Sequence, residues 1–177
     1  MSPQDTAHEV AQATRQAMWA NDRASRMLGM QILSVTPGAA VLSMSVRQDM
    51  LNGHDICHGG LITTLADSAF AFACNSHNEV SVAAGFDVNL VAAAREGDLL
   101  TATASELSKA GRTGVYDVIV NNQRGELIAV FRGRSYTFKG KAMVAGLSVG
   151  KAAVPHPPAP APAAAAALQP PPQPQRP

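Results

Sequence analysis

The chain has 177 residues, of which 46% are hydrophobic and 15% charged, and its formal net charge is +1. This composition is typical of a globular domain and excludes a strongly basic protein that coats nucleic acid. Ten of the twelve prolines lie between Pro155 and Pro177, where alanine supplies most of the other residues. We therefore predict a domain over residues 1–140 and a disordered Ala/Pro-rich tail over residues 141–177.

The cysteines and the N-terminal stretch bear on location. Cys57 and Cys74 are the two cysteines of the chain, and so few cysteines fit a reduced compartment. The N-terminal stretch lacks the basic start and apolar run of a secretory signal, and no window approaches 18 consecutive apolar residues. We expect a soluble cytoplasmic protein.

The first predicted elements are a helix and a hairpin. Between Asp5 and Leu28, apolar residues recur at spacings of three and four, which predicts an amphipathic helix. Residues 31–36 and 40–47 have the pattern of two strands joined at Pro37-Gly38. Alternation in the second strand predicts a single buried face.

A polar loop containing several glycines, residues 48–60, separates this hairpin from a central helix and further strands. Residues 61–75 are apolar around nearly the whole circumference, which indicates a buried helix. The remaining predicted strands cover residues 81–91, 99–108, 113–121 and 127–138. The order of elements predicts an α+β hotdog fold, an antiparallel sheet wrapped around a long central helix.

Asp67 is the most unusual residue of the central helix. An unpaired carboxylate in apolar surroundings costs several kcal/mol to bury, and no lysine or arginine lies between Asp49 and Val91 to pair with it locally. Such an acid is either functional or bonded to nearby groups. Hydroxyl groups for the second alternative are available on three neighbours, Thr63, Thr64 and Ser68.

The start of the same helix has the pattern of an anion site. His58 precedes Gly59 and Gly60, and two glycines leave the first amide N–H groups of a helix uncovered by side chains. A carbonyl oxygen can approach them and meet the positive end of the helix dipole. An ordinary flexible loop before a helix is the alternative interpretation.

The spacing of these groups bears on assembly. Gly59 and Asp67 are eight residues apart, about 12 Å along a helix, which is too far for both to act on one carbonyl group. Two central helices packed antiparallel about a two-fold axis would bring the helix start of one subunit to Asp67 of the other. A catalytic role for both residues therefore requires an oligomer.

A zinc site and a cysteine nucleophile are two competing interpretations. His54, Cys57, Cys74 and His77 have zinc-like spacing at each end, but the predicted helix separates the two pairs by more than about 20 Å, so they cannot surround one ion. We predict no metal site. Adjacent side chains rarely align as nucleophile and base, which argues against Cys57 acting with His58.

Charge is distributed unevenly along the chain. Residues 1–108 have a net charge of −6, from five basic and eleven acidic residues, whereas residues 109–141 have a net charge of +5, from seven and two. The second segment is a candidate anion site, and basic residues scattered on exposed strand faces are the alternative. Strand alternation places Arg132 and Arg134 on one face, with Phe131 and Gly133 on the other.

The motif around the central helix resembles that of a known family. Its parts are Met50-Leu51-Asn52-Gly53-His54, Cys57-His58-Gly59-Gly60, Leu65-Ala66-Asp67 and Cys74-Asn75-Ser76. They resemble the phenylacetic acid degradation thioesterases, a branch of the hotdog-fold acyl-CoA thioesterases. Over residues 89–95 the chain departs from the family's usual sequence, and a basic contact to the substrate is shifted or lost there.

The resemblance implies hydrolysis of a coenzyme A thioester carrying an aryl-acetyl group, such as phenylacetyl or hydroxyphenylacetyl. Asp67 would act as general base or nucleophile, the Gly59 N–H with help from His58 would bind the oxyanion, and Asn52 would orient the thioester or water. Substrate contacts would come from Gly60, Lys109, Gly111, Arg112, Thr113, Arg132 and Arg134. The resemblance implies that the reaction needs no metal or redox cofactor. It also implies a homo-oligomer, with a tetramer as the expected form, whose active sites combine residues of two subunits.

The sequence leaves two other functions open. A hotdog hydratase or dehydratase would need an acid and base pair at the acyl α and β carbons, and the sequence offers no second well-placed carboxylate. A non-catalytic acyl-CoA binding module would give no reason to bury Asp67. An ordinary carboxylate pKa would be sufficient for Asp67 as a base at neutral pH.

Overall fold

A computed structural model describes residues 6–149. The helices are α1 (Ala7–Asn21), α2 (Arg23–Met27) and α3 (Gly59–Asn75), and a short 3-10 turn covers Gln48–Met50. The strands are β1 (Gln31–Thr36), β2 (Ala39–Ser45), β3 (Ser81–Leu90), β4 (Leu99–Ala110), β5 (Thr113–Asn121) and β6 (Leu127–Thr137). The predicted tail beyond residue 149 lies outside the described residues.

The six strands form one sheet in the order β1-β2-β4-β5-β6-β3. Every neighbouring pair is antiparallel, and β3 forms one edge of the sheet. Helix α3 packs on one face of the sheet, where Leu65 and Phe70 of the helix are buried with Leu42, Tyr116 and Phe131 of the strands. The predicted α+β hotdog architecture is confirmed.

The first helix was predicted to be continuous, and this prediction is wrong. The structure breaks it at Asp22, whose extended backbone ends α1 and whose carboxylate accepts a hydrogen bond from Ser25 N at 3.0 Å to start α2. An aspartate side chain competes with the helix for backbone N–H groups, so it caps a new helix here. Thr6 and Glu9 form a capping box at the start of α1.

Burial of α3 is uneven around the helix. Ile62, Leu65, Ala66, Ala69 and Phe70 are buried against the sheet, whereas the side that carries Thr63, Asp67 and Ala71 is only partly covered. The first two helices add cover, since Trp19 packs on Phe72 and Ser25 bonds Ser68. The partly covered side of α3 remains available for a ligand or another chain.

A buried polar network fastens the end of α3 to the sheet. His77, two residues beyond the helix, donates from Nε2 to Glu106 Oε2 at 2.7 Å, and the Tyr116 hydroxyl donates to the same oxygen at 2.7 Å. Burial would raise the pKa of the Glu106 carboxyl, but the hydrogen bonds from His77 and Tyr116 outweigh it and hold the pKa below its usual value.

Residues 141–149, which the sequence assigns to the tail, contact the domain in the structure. The Asn78 side chain donates to the carbonyls of Val144, Leu147 and Ser148 and accepts from Val144 N. The hydrogen-bonded part of the chain thus extends well past the predicted boundary at 140, as far as Ser148. No helix in the described range 6–149 is long and apolar enough to cross a membrane.

Candidate active site

The first turn of α3 is organised by His58. Its Nδ1 accepts a hydrogen bond from Gly60 N at 3.0 Å, which makes His58 the N-cap of the helix. The His58 ring and Gly60 border a 500 Å³ cleft with Asp49, Leu61 and other neighbours, on a different side of the helix start from Gly59. His58 therefore occupies the Gly60 N–H and leaves the N–H of Gly59 as the available donor.

Gly59 lies where a side chain would not fit. A Cβ atom at this position would overlap Leu90 Cδ1, so glycine allows the end of β3 to approach the helix. No acceptor among the described residues takes the Gly59 N–H. Gly59 lines a neighbouring cavity at the positive end of the helix dipole.

Asn52 shares this cavity with Gly59. The cavity has a volume of about 310 Å³, and Ile56, Cys57, Ile62 and residues 90–93 complete its lining. The Oδ1 of Asn52 accepts from His54 N at 2.9 Å, which orients the side chain. Nδ2 makes no hydrogen bond within the described residues, so this cavity, the oxyanion cavity from here on, offers two N–H donors.

Asp67 lies half-buried on α3, eight residues after Gly59. Its neighbouring hydroxyl groups are bonded elsewhere, because Thr63 donates to Gly59 O, Thr64 donates to Gly60 O and Ser68 pairs with Ser25. No described residue donates a hydrogen bond to the carboxylate. Burial raises the pKa of the Asp67 carboxyl above its ordinary value.

A second cavity of about 390 Å³ opens beside Asp67 and is called the Asp67 cavity below. Its walls come from α1, α3, the start of β3 and the segment after β6. The lining residues are Met18, Asp67, Phe70, Ala71, Cys74, Asn75, Val80, Ser81, Val82, Ala83 and Met143. It shares no lining residue with the oxyanion cavity, so this chain alone does not bring Asp67 to Gly59 and Asn52.

The predicted phosphate contacts are mostly paired with acidic residues of the chain. Arg132 holds Asp117 with two hydrogen bonds of 2.6 and 2.7 Å, and Arg134 pairs with Asp87 at 2.6 Å, both at exposed positions. Lys109 pairs with Glu79 at 2.8 Å and is 9% exposed. These three basic residues reach an anion only by leaving or sharing a carboxylate.

Arg112 differs from the other three basic residues. It lies with Gly111 and Thr113 at the β4–β5 turn and donates to the Tyr136 hydroxyl at 3.0 Å, with no carboxylate partner among the described residues. Thr113 is in register with Tyr136, and Tyr136 with Val82, which lines the Asp67 cavity. The turn thus lies at the same end of the sheet as that cavity.

The two cysteines are poorly suited to act as nucleophiles. Both are free and buried, burial raises the pKa of Cys57, and it raises the pKa of Cys74 to about 12. A thiol is reactive as a thiolate, which such values disfavour at neutral pH. Within residues 6–149, no group of three or more histidine, cysteine, aspartate or glutamate residues is arranged to hold a metal ion.

Three lining residues were missed in the sequence. Leu90 closes over Gly59, and Met18 and Met143 face the Asp67 cavity. Leu90 and Val91 are large apolar residues that are more than half exposed at the sheet edge, with exposed fractions of 52% and 57%. An apolar run at the end of an edge strand was the available signal, whereas nothing local to Met143 indicates its position.

The chain resembles known proteins over most of its domain. Residues 54–129 match the family model described as the thioesterase superfamily. The acyl-coenzyme A thioesterase PaaI of Escherichia coli K12 is 44% identical over 124 residues, 70% of this chain and 89% of that protein. Human acyl-coenzyme A thioesterase 13 is 30% identical over 109 residues, 59% and 77% of the two chains.

Two solved structures share the architecture. One is the E. coli PaaI protein from the phenylacetic acid degradation operon, with a TM-score of 0.75, 40% identity and coverage of 77% of this chain and 99% of that chain. The other is a mutant of the phenylacetic acid degradation protein PaaI from Thermus thermophilus, with a TM-score of 0.64, 35% identity and coverage of 66% and 100%.

Proposed function

The chain belongs to the thioesterase superfamily, and from that premise we propose that it hydrolyses aryl-acetyl thioesters of coenzyme A, of the phenylacetyl or hydroxyphenylacetyl type. The observation that carries the proposal is Asp67, a half-buried carboxylate without a hydrogen-bond donor among the described residues, at the wall of a mainly apolar cavity. Similarity to a protein of a phenylacetic acid degradation operon supports the aryl-acetyl class.

The proposed chemistry uses groups of the protein alone, with no metal or redox cofactor. Asp67 accepts a proton from water as the water oxygen bonds to the thioester carbonyl carbon. The Gly59 N–H and the Asn52 amide stabilise the negative charge that develops on the carbonyl oxygen. The carbon–sulfur bond then breaks, the coenzyme A sulfur takes up the proton, and the carboxylic acid is released.

The two halves of this site meet in a dimer built on β3. The oxyanion cavity borders the end of β3 at Leu90, and the Asp67 cavity borders its start at residues 81–83. Because β3 is a sheet edge with exposed Val82 and Phe86, a second copy can pair with it antiparallel. The end of one β3 then lies beside the start of the other, which gives two composite sites.

A tetramer of two such dimers uses the outer face of the sheet. That face carries a row of apolar and hydroxyl side chains in register, Val41, Thr103, Ile119 and Val130, and Ile119 is 38% exposed. Analytical ultracentrifugation should show a tetramer, and Ile119→Lys should yield dimers.

The free cysteines also fit a cytoplasmic location, where thiols stay reduced.

The coenzyme A phosphates are proposed to contact the β4–β5 turn. Of the four basic residues predicted to bind them, Arg112 is the one without a carboxylate partner among the described residues. Gly111 and Thr113 flank it with backbone N–H groups. Arg132 and Arg134 contribute if the anion shares them with Asp117 and Asp87. Replacement of Arg112 by Ala should raise KM for every acyl-CoA by a similar factor.

The first test is thiol release from phenylacetyl-CoA by the wild type and by Asp67→Asn. Hydrolysis by the wild type and its loss in the variant are expected, whereas Glu126→Gln, a change at a half-exposed carboxylate paired with Arg124, should retain full activity. An Asp67→Asn oligomer with wild-type turnover would exclude the proposed base.

The second test mixes two inactive variants, Asp67→Asn and Asn52→Ala, by co-expression with different tags. If each site takes Asn52 from one subunit and Asp67 from the other, half of the dimers are mixed and each holds one intact site, so roughly a quarter of wild-type activity should return. A site contained in one subunit would give no recovery.

Two alternatives give different products. A hydratase or dehydratase would change the acyl chain and leave the thioester intact, and a binding module would bind acyl-CoA stoichiometrically without turnover. Mass spectrometry of the reaction mixture separates both from hydrolysis. No second carboxylate among the described residues lines the Asp67 cavity, which favours hydrolysis over hydration.

A further inference from the structure

The chain after β6 folds back across the end of α3. Residues 138–149, called the strap below, begin with a backbone exchange in which Phe138 N donates to Val80 O at 2.9 Å and Val80 N donates to Lys141 O at 2.9 Å. Lys141 N closes a turn onto Phe138 O at 3.1 Å. The strap therefore starts as an extension of the sheet at the rim of the Asp67 cavity.

Asn78 anchors the far part of the strap. Its side chain is fully buried, and Nδ2 donates to the carbonyls of Val144, Leu147 and Ser148 at 3.1, 3.2 and 3.4 Å. Oδ1 accepts from Val144 N at 2.8 Å. Asn78 has a φ of 61°, a conformation that asparagine tolerates better than most residues. One side chain thus fixes the path of the strap from Val144 to Ser148.

This path brings Met143 to the cavity. Met143 directly precedes Val144 and is half-buried, and it forms one wall of the Asp67 cavity with Met18 of α1 and Phe70 of α3. The Asn75 side chain in the same lining is already bonded to Ala71 and Ser81. Apart from Asp67, the cavity therefore offers mainly apolar contacts.

Two methionines beside an apolar cavity favour a compact aromatic occupant. The thioether is polarizable, and contacts between sulfur and an aromatic ring stabilise more than the buried area alone. The Met143 side chain forms the wall of the cavity on the side of the strap. An acyl group that extends beyond one ring toward this wall would contact Met143 and the strap.

We propose that Met143 is a specificity-determining residue, held by the Asn78-anchored strap, which packs on the aryl ring of the acyl group and limits its length. The proposal rests on the proposed function for the identity of the substrate. It assigns to the strap a role in substrate choice and none in the hydrolytic step.

The test measures binding, so that turnover does not affect the result. In full-length protein carrying Asp67→Asn, calorimetry gives the dissociation constants of acetyl-CoA, phenylacetyl-CoA and biphenylacetyl-CoA. Addition of Met143→Ala should weaken the binding of phenylacetyl-CoA by up to about tenfold and leave the binding of acetyl-CoA nearly unchanged. The binding of biphenylacetyl-CoA should become tighter relative to that of phenylacetyl-CoA. Met143→Leu, of similar volume, should keep the bias against the biphenyl group.

Two further variants separate the position of Met143 from general effects. Met27 is 72% exposed, so Met27→Ala is a matched control that should change no constant. Asn78→Asp replaces an amide donor with a carboxylate facing three carbonyls, so it should loosen the strap and reproduce the selectivity change of Met143→Ala. Circular dichroism confirms that each variant is folded.

The possible results bear separately on the two proposals. The same selectivity in Met143→Ala and its parent, or failure of all three ligands to bind, would overturn the role of Met143. A selectivity change in the variant together with no thiol release by the wild type would support Met143 in substrate choice and overturn the hydrolytic function.

Discussion

Replacing Glu106 with alanine is expected to destabilise the domain severely while leaving the cavities beside Asn52 and Asp67 intact. The Glu106 side chain is 3% exposed, and a single oxygen of it accepts hydrogen bonds from His77 and Tyr116. Its removal leaves two buried donors without an acceptor, at about 1–3 kcal/mol each. The expected cost is about 4 kcal/mol, a large share of the stability of an ordinary domain.

A conservative variant separates charge from hydrogen bonding. Glu106→Gln keeps an acceptor oxygen for both donors and loses the charge assistance, so we expect a cost of about 2 kcal/mol. Tyr116→Phe removes one donor and leaves Glu106 bonded to His77, at about 1 kcal/mol. Urea unfolding at fixed protein concentration measures all three, with an unchanged m value required for the comparison.

The pH dependence of the glutamine variant gives an independent check. The pKa of Glu106 in the folded protein is lowered from 4.5, so its contribution to stability is fully present above pH 4.5 and is lost as pH falls through the folded pKa. The gap between wild type and Glu106→Gln should therefore be constant near neutral pH and shrink below pH 4.5. A gap that persists at low pH, or a cost for the alanine variant below about 1 kcal/mol, would refute this account of the network.

Three further predictions concern single groups. Since burial raises the pKa of Asp67 above 3.8, its base form is lost on acidification at a higher pH than for an exposed aspartate, and the acid limb of kcat should lie above 3.8. His58→Ala should cost about 1 kcal/mol in urea unfolding by removing the cap on Gly60, and His58→Asn should restore most of it. The hydrogen bond from Arg95 N lowers the pKa of Asp98. Asp98→Asn should therefore destabilise the domain above pH 3.8, and the difference in stability from the wild type should disappear at lower pH.

The fold was largely predictable because each turn has a local cause. Gly38 and Gly111 take positive φ values of 75° and 62° at hairpin turns, where glycine is favoured, and period-two alternation between such turns leaves little choice of strand. The strand ends agree with prediction to within about two residues. The break at Asp22 was missed because its capping bond to Ser25 replaces only one turn of a periodic helical pattern.

The candidate donors and the candidate acid could be selected from the sequence, but their surroundings could not. Gly59 and Asp67 could be selected because a glycine at a helix start and an acid on an apolar helix are exceptions to local rules. The pairing of Arg132 with Asp117 and of Lys109 with Glu79 depends on strand register and chain crossing. Those are properties of the whole sheet, so composition alone did not show that these cations are already neutralised.

The anchoring of the strap has a consequence for the order of folding. Asn78 and its partners Val144 to Ser148 are 66 to 70 positions apart in sequence, so the entropy of closing this loop is recovered only after β3 and β6 have paired and shortened the path. We therefore expect the strap to dock after the sheet has formed and to detach more readily than the central strands in native-state fluctuations. Hydrogen exchange at the Val144 amide should be faster than in the central strands, and the wall formed by Met143 should open and close while the rest of the domain stays folded.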